Sequence, residues 1–111
     1  MRLGFVFPGQ GAQYPGMGKE IAENFGEAAE VFAIADRVAG YSLSDLCFNG
    51  PADKLDQTEF SQPAILTASI AILEAVKSQG IMPAVAAGLS LGEYTALVAA
   101  GCITFAQALP L

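Results

Sequence analysis

Apolar and polar positions follow two different periods along this chain. Leu3-Gly-Phe-Val-Phe7 is a short apolar run stopped by Pro8-Gly9, the pattern of a buried strand that opens into a loop. The loop, Pro8 to Gly18, is rich in glycine and proline. From Glu27 to Ala39 the residues Ala28, Val31, Phe32, Ala35 and Val38 recur at helical spacing, which predicts an amphipathic helix ended by Gly40. Tyr41 to Phe60 is polar and irregular, with a turn at Asn49-Gly50-Pro51 and room for a helical turn on either side. Ser61-Gln62-Pro63 then offers a capping residue and a first-turn proline, predicting a helix over Ala64 to Gln79 that Gly80 closes. Its apolar residues cover most of the circumference, so it is expected to be largely buried. Ala84-Val85-Ala86-Ala87 reads as a short central strand, Glu93 to Ala100 as a second apolar helix broken at Gly101, and Thr104 to Leu109 as a further helical start. Strand, helices, buried strand, then helix is the order of an α/β protein with parallel strands.

The 111 residues make one domain or part of one. Hydrophobic residues reach 53% and charged residues only 14%, against roughly 25% charged in an average domain. Disorder is excluded, and an apolar share this high in so short a chain implies surface to be covered by a partner or by further chain. The net charge is −6, and the five basic residues, Arg2, Lys19, Arg37, Lys54 and Lys77, are scattered. A nucleic-acid surface needs clustered cations and finds none here. The chain has no histidine and two cysteines, Cys47 and Cys102, so a Cys/His zinc site is excluded and the cysteines read as reduced core residues of a cytoplasmic protein. Too few apolar residues precede Pro8 for a signal-peptide core. The uncharged run from Tyr94 to Leu111 holds Gly101, Thr104, Gln107 and Pro110, which favours a buried helix and turn over a membrane span.

Two segments can carry chemistry. Gly88-Leu89-Ser90-Leu91-Gly92 is a G-x-S-x-G between a predicted strand and a predicted helix. In a nucleophile elbow the serine sits on a sharp turn whose flanking positions must lack side chains, and the start of the next helix brings free N–H groups and a positive dipole end to the oxygen of a bound acyl group. The same residues also suit a plain glycine-rich β-to-α turn capped by a serine. The second segment, Phe7-Pro8-Gly9-Gln10-Gly11-Ala12-Gln13, follows the first strand. It could give a second oxyanion N–H, bind a phosphate, or serve as a connector whose glutamines only satisfy backbone groups. Glu93 reads as an acidic residue in a first helical turn, or as a group that orients a base or a substrate cation. Glu20, Glu23, Glu27 and Glu30 read as a solvated face, and neither cysteine has a base nearby that would make it a nucleophile.

With Gln62-Pro63-Ala64 between them, the two motifs Phe7-Pro-Gly-Gln-Gly-Ala-Gln13 and Gly88-Leu-Ser-Leu-Gly-Glu-Tyr94 resemble those of the malonyl-CoA:acyl carrier protein transacylases and the related acyltransferase domains of polyketide and fatty-acid synthases. The resemblance runs from Met1 to about Ala108. It implies a partial α/β-hydrolase-like subdomain over residues 1–111, with a smaller ferredoxin-like subdomain absent. It implies Ser90 as the catalytic nucleophile and backbone N–H groups of Gln10 and Leu91 as the oxyanion hole. The implied reaction moves a malonyl group from coenzyme A to Ser90 and then to the phosphopantetheine thiol of the acyl carrier protein, in fatty acid biosynthesis, with no metal or redox cofactor. The family's general-base histidine and carboxylate-binding arginine would lie in the remainder of a longer chain, so these residues alone are expected to be nearly inactive. Leu89 stands where many relatives carry histidine; in relatives a small apolar residue just after the nucleophile goes with malonyl and glutamine with methylmalonyl, so the apolar Leu91 leans to malonyl. Other readings of the same residues are a fragment of a polyketide synthase acyltransferase domain, a serine esterase, and a non-catalytic fragment that binds a partner through an apolar face.

Overall fold

Among the described residues, two long helices hold most of the buried side chains. The computed structural model describes residues 4–7, 9, 11–80, 85–88 and 104–109. In chain order these form β1 (Gly4–Phe7), α1 (Lys19–Asn24), α2 (Gly26–Ala39), α3 (Leu43–Asn49), α4 (Ala52–Leu55), α5 (Thr58–Ser78), β2 (Val85–Gly88) and α6 (Phe105–Ala108). Helix α2 buries Ala28, Val31, Phe32 and Ala35, the i, i+3, i+4, i+7 face that its sequence predicts, and lays it against α5. Val38, one turn further along, is 37% exposed. Gly40 ends the helix at φ 81°, and its N–H donates to the carbonyl of Asp36.

Helix α5 buries Ala64, Ile65, Leu66, Ala68, Ile70, Ala71, Leu73 and Ala75. That near-complete ring of small and branched residues makes it the largely buried helix expected. Its start differs from the sequence reading, because the helix begins at Thr58, six residues before Ala64. The carbonyl of Gln57 accepts from the amides of both Phe60 and Ser61 at 2.9 and 2.8 Å, so the corner leaving α4 already closes the first turn. Ser61 is not a cap: it is fully buried, and its hydroxyl donates back to the carbonyl of Thr58 at 3.5 Å. Pro63 therefore falls inside the helix, where it removes one donor that a first-turn proline would not have used. Tertiary burial of this helix outweighs that loss, as it commonly outweighs local preference.

In the polar stretch Tyr41 to Phe60 the helical turns expected on either side of Asn49-Gly50-Pro51 are the helices α3 and α4. The hydroxyl oxygen of Ser42 caps α3 by accepting from the amide of Asp45 at 3.4 Å, while Leu43, Leu46 and Cys47 go into the core. Asp36 of α2 accepts from the amide and hydroxyl of Ser44 at 2.8 and 2.6 Å, which ties α3 to α2. The four-residue α4 buries Leu55 completely. Helix α1 was not legible at all, since it buries no residue fully and shows no apolar stripe. Near the end, Thr104 and Gln107 form a reciprocal capping box at the start of α6, within the predicted helical start. The predicted helix over Glu93 to Ala100 lies outside the described residues.

Strands β1 and β2 pair in parallel, with Gly4 opposite Val85, Phe5 opposite Ala86, Val6 opposite Ala87 and Phe7 opposite Gly88. Both were read from the sequence to within one residue at each end. The α/β class with parallel strands is therefore observed.

Gly18 shows how tightly the glycine-rich loop joins the helical layer. It caps α1 at φ 79°, and a Cβ there would lie 2.7 Å from the Cζ of Phe32. Phe32 cannot retreat, being 3% exposed and set edge-on against Phe48 at 4.7 Å between ring centroids. Gly18→Ala is expected to lose about 2–4 kcal/mol through backbone strain and overpacking. Gly26→Ala, where a Cβ meets nothing within 4 Å at the first residue of α2, should gain up to about 1 kcal/mol. Urea unfolding midpoints at constant m-value measure both, and equal midpoints for the two variants would contradict the contact.

Candidate active site

The last residue of β1, Phe7, and the last residue of β2, Gly88, are partners in the parallel ladder. Parallel neighbours lie about 4.8 Å apart, so the chain leaves both strands at one sheet edge and from adjacent positions. Parallel α/β sheets bind ligands at this carboxyl edge. Both sequence motifs start there: the Gly9-to-Gly18 loop after β1, and Gly88-Leu89-Ser90 after β2. Ser90, Leu91 and Gln10 themselves lie outside the described residues, as do Leu89, Glu93 and Cys102.

The β1 loop is held at several points. The amide of Ala12 donates to the carbonyl of Gly9 at 3.3 Å, closing a turn whose third residue, Gly11, has φ +108°. A side chain at Gly11 would meet open space, so the backbone angle and not crowding requires glycine. The amide of Gly11 donates to Oε1 of Gln13 at 2.8 Å, and Nε2 of Gln13 donates to Oδ1 of Asp56 at 3.1 Å. Further along, the amide of Gly16 donates to the carbonyl of Cys47 at 2.8 Å, and Met17 enters the core. Gln13 thus does what the connector reading expected of the loop's glutamines, satisfying a backbone group, and it also reaches across to a carboxylate. Asp56 was not singled out in the sequence. It is 43 positions away, and no local pattern marks it.

This chain matches the acyl transferase domain family over residues 4–111, and it belongs to that family. It is 50% identical over 107 residues to the malonyl CoA-acyl carrier protein transacylase of Bacillus subtilis (strain 168), an alignment that takes in 96% of this chain and 34% of that protein. Its fold superposes on the crystal structure of the malonyl CoA-acyl carrier protein transacylase from Clostridium perfringens with a TM-score of 0.94 at 48% identity, covering 99% of this chain and 35% of that one. A malonyl-transacylase solved in complex with its type II PKS acyl-carrier protein gives a TM-score of 0.92 at 44% identity, covering 99% of this chain and 36% of the other. The chain spans about a third of the length of the relatives it matches.

The other candidate groups among the described residues lie away from this edge or in the core. Glu20, Glu23, Glu27 and Glu30 are exposed, in agreement with a solvated face. Among the described residues no group of three or more His, Cys, Asp or Glu is placed to hold a metal ion, and no helix is long and apolar enough to cross a membrane. An open groove of about 390 Å³ is lined by α2, α5 and α6, with Glu27, Glu30 and Glu74 at its wall. No residue of the β1 loop lines it. Cys47 is buried, and burial, with a smaller push from the Asp36 carboxylate, raises its thiol from 9.0 to about 12. A thiol held protonated is a poor nucleophile, so Cys47 is a core residue as the sequence suggested. The native state then keeps this proton over a range where the unfolded chain loses it. Its stabilising contribution is complete below about pH 9 and is lost as pH rises towards about 12, by at most about 1.4 kcal/mol per pH unit. Tyr41 is shifted upward too, mainly by burial, so the Cys47 share needs a comparison. Between pH 9 and 11 the fall in unfolding free energy should be shallower in Cys47→Ala than in the parent protein, and parallel curves would show that the thiol ionises freely in the fold.

Proposed function

We propose that these residues are the N-terminal part of the α/β-hydrolase-like subdomain of a malonyl-CoA:acyl carrier protein transacylase, with Ser90 as its nucleophile and the amides of Gln10 and Leu91 as its oxyanion hole. The observation that carries this reading is the pairing of Phe7 with Gly88, because it starts both motif loops from neighbouring points on one sheet edge. Gln10 is three residues beyond Phe7 and Ser90 two beyond Gly88. Two of the turn's amides, those of Gly11 and Ala12, already donate within the loop. Neither is free to serve an oxyanion, and that is consistent with Gln10 as the donor on this side. The names of the relatives support malonyl-CoA and acyl carrier protein as the substrates.

In this reading Ser90 Oγ attacks the thioester carbonyl of malonyl-CoA. Its proton passes to a base, the carbonyl oxygen takes the negative charge, and collapse of the tetrahedral intermediate breaks the C–S bond as the base returns that proton to the departing sulfur, releasing coenzyme A. The phosphopantetheine thiol of the carrier protein then attacks the acyl-serine ester and restores Ser90. Two N–H donors aimed at the developing oxyanion are worth about 3–4 kcal/mol each in comparable enzymes. The 111 residues hold no histidine, so a histidine base would come from the rest of the protein. No metal or redox cofactor takes part, and the protein works in the cytoplasm.

The test is acylation by labelled malonyl-CoA. The complete gene product should form a stoichiometric acyl-enzyme and lose it to a phosphopantetheinylated carrier protein. Ser90→Ala should lower transfer by about 10³-fold or more. The 111-residue segment alone should acylate slowly or not at all for want of a base. Transfer that survives in Ser90→Ala, or fast acylation of the isolated segment, would overturn this assignment.

A further inference from the structure

We infer that Gln13 and Asp56 form a positioning bridge for the oxyanion site, a strut that fixes the Gly9–Ala12 turn against the corner between α4 and α5 and so sets where the Gln10 amide lies. This rests on the proposed function above and adds to it two residues that do not touch the acyl group.

The argument begins with the chemistry of a carboxamide. Gln13 receives a hydrogen bond at Oε1 from the Gly11 amide and gives one from Nε2 to the Asp56 carboxylate. The reversed orientation would set two donors against each other at Gly11 and two acceptors against each other at Asp56, so only one orientation satisfies both ends. Glutamate could not replace it at neutral pH, because it has no donor for Asp56. The outer end of the strut is firm. The amide of Asp56 closes α4 by donating to the carbonyl of Ala52 at 2.9 Å, and the preceding residue, Leu55, is fully buried. The inner end is a turn of two glycines flanking Gln10, with Gly11 in a left-handed conformation. Such a segment has high intrinsic freedom. The far end of the loop is pinned by Gly16 to Cys47 and by the close approach of Gly18 to Phe32; the first turn is closed on itself by the Ala12 amide on the Gly9 carbonyl, and among the described residues Gln13 links it to the helical layer through Asp56.

An oxyanion donor must sit about 2.7–3.1 Å from the charge it stabilises. Loosening its support therefore lowers the rate of the chemical step and leaves ground-state binding intact. In the complete gene product, the first-order rate of Ser90 acylation at saturating malonyl-CoA is measured by quenched flow, with thermal midpoints recorded alongside. Gln13→Ala is expected to slow acylation about 10-fold and Asp56→Ala about 3–10-fold, each with an unchanged KM for malonyl-CoA. The double variant should be no slower than Gln13→Ala, because both changes remove one strut. Asp56→Asn keeps the accepting oxygen and should stay within about twofold of the parent. The inference is overturned if Gln13→Ala acylates at the parental rate, if the two losses multiply, or if the rates fall only in step with the thermal midpoint. Ser90→Ala separates the two ideas. Persistent transfer in that variant removes the site and the strut together, whereas abolished transfer with normal Gln13→Ala kinetics removes the strut alone.

Discussion

The parallel pairing of β1 with β2 is the constraint on which the rest depends. Four residues on each side meet in register and end together at Phe7 and Gly88. Parallel strands cannot be joined by a tight turn, because the chain must travel back past the first strand before it can form the second. The five helices from α1 to α5 lie within that connection. Once the ladder is set, the two motif segments leave their strands at one edge, and Phe7 and Gly88, 81 positions apart in sequence, become neighbours.

The helical part holds the loop after β1 at several points. Helix α2 lies along α5, Asp36 tethers α3, and Phe32 closes over Gly18 with its ring against Phe48. These contacts anchor the loop at its C-terminal side, while its N-terminal side is hydrogen-bonded through Gln13 to Asp56. The arrangement places a permissive backbone beside a firm one. Glycines allow the turn its unusual angles, and neighbouring side chains then remove the freedom that glycine brings.

Much of the secondary structure was legible because it rests on local rules. The stripe of α2, the glycine that ends it and the two short apolar strands follow from side-chain spacing and from the angles open to glycine. The start of α5 was misread for a related reason. Ser61 and Pro63 look like a helix start because local rules favour them there, yet the Gln57 carbonyl and the burial of Ser61 carry the helix through both. Helix α1 has no buried stripe to read. Of the candidate site, the glycine-flanked serine and the glutamine-bearing loop were visible as motifs, whereas the partner of Gln13 was not, since nothing near Asp56 in the chain announces it.

What the sequence determined by itself is chemical capability: which backbone positions can take left-handed angles, which hydroxyl has glycines on both sides, and that no imidazole is present among the 111 residues. What only the tertiary structure decided is coincidence in space. The register Phe7 to Gly88 and the bond from Gln13 to Asp56 span 81 and 43 positions. Such pairings are chosen by the burial and hydrogen bonding of the whole chain, and no window of neighbouring residues contains that choice.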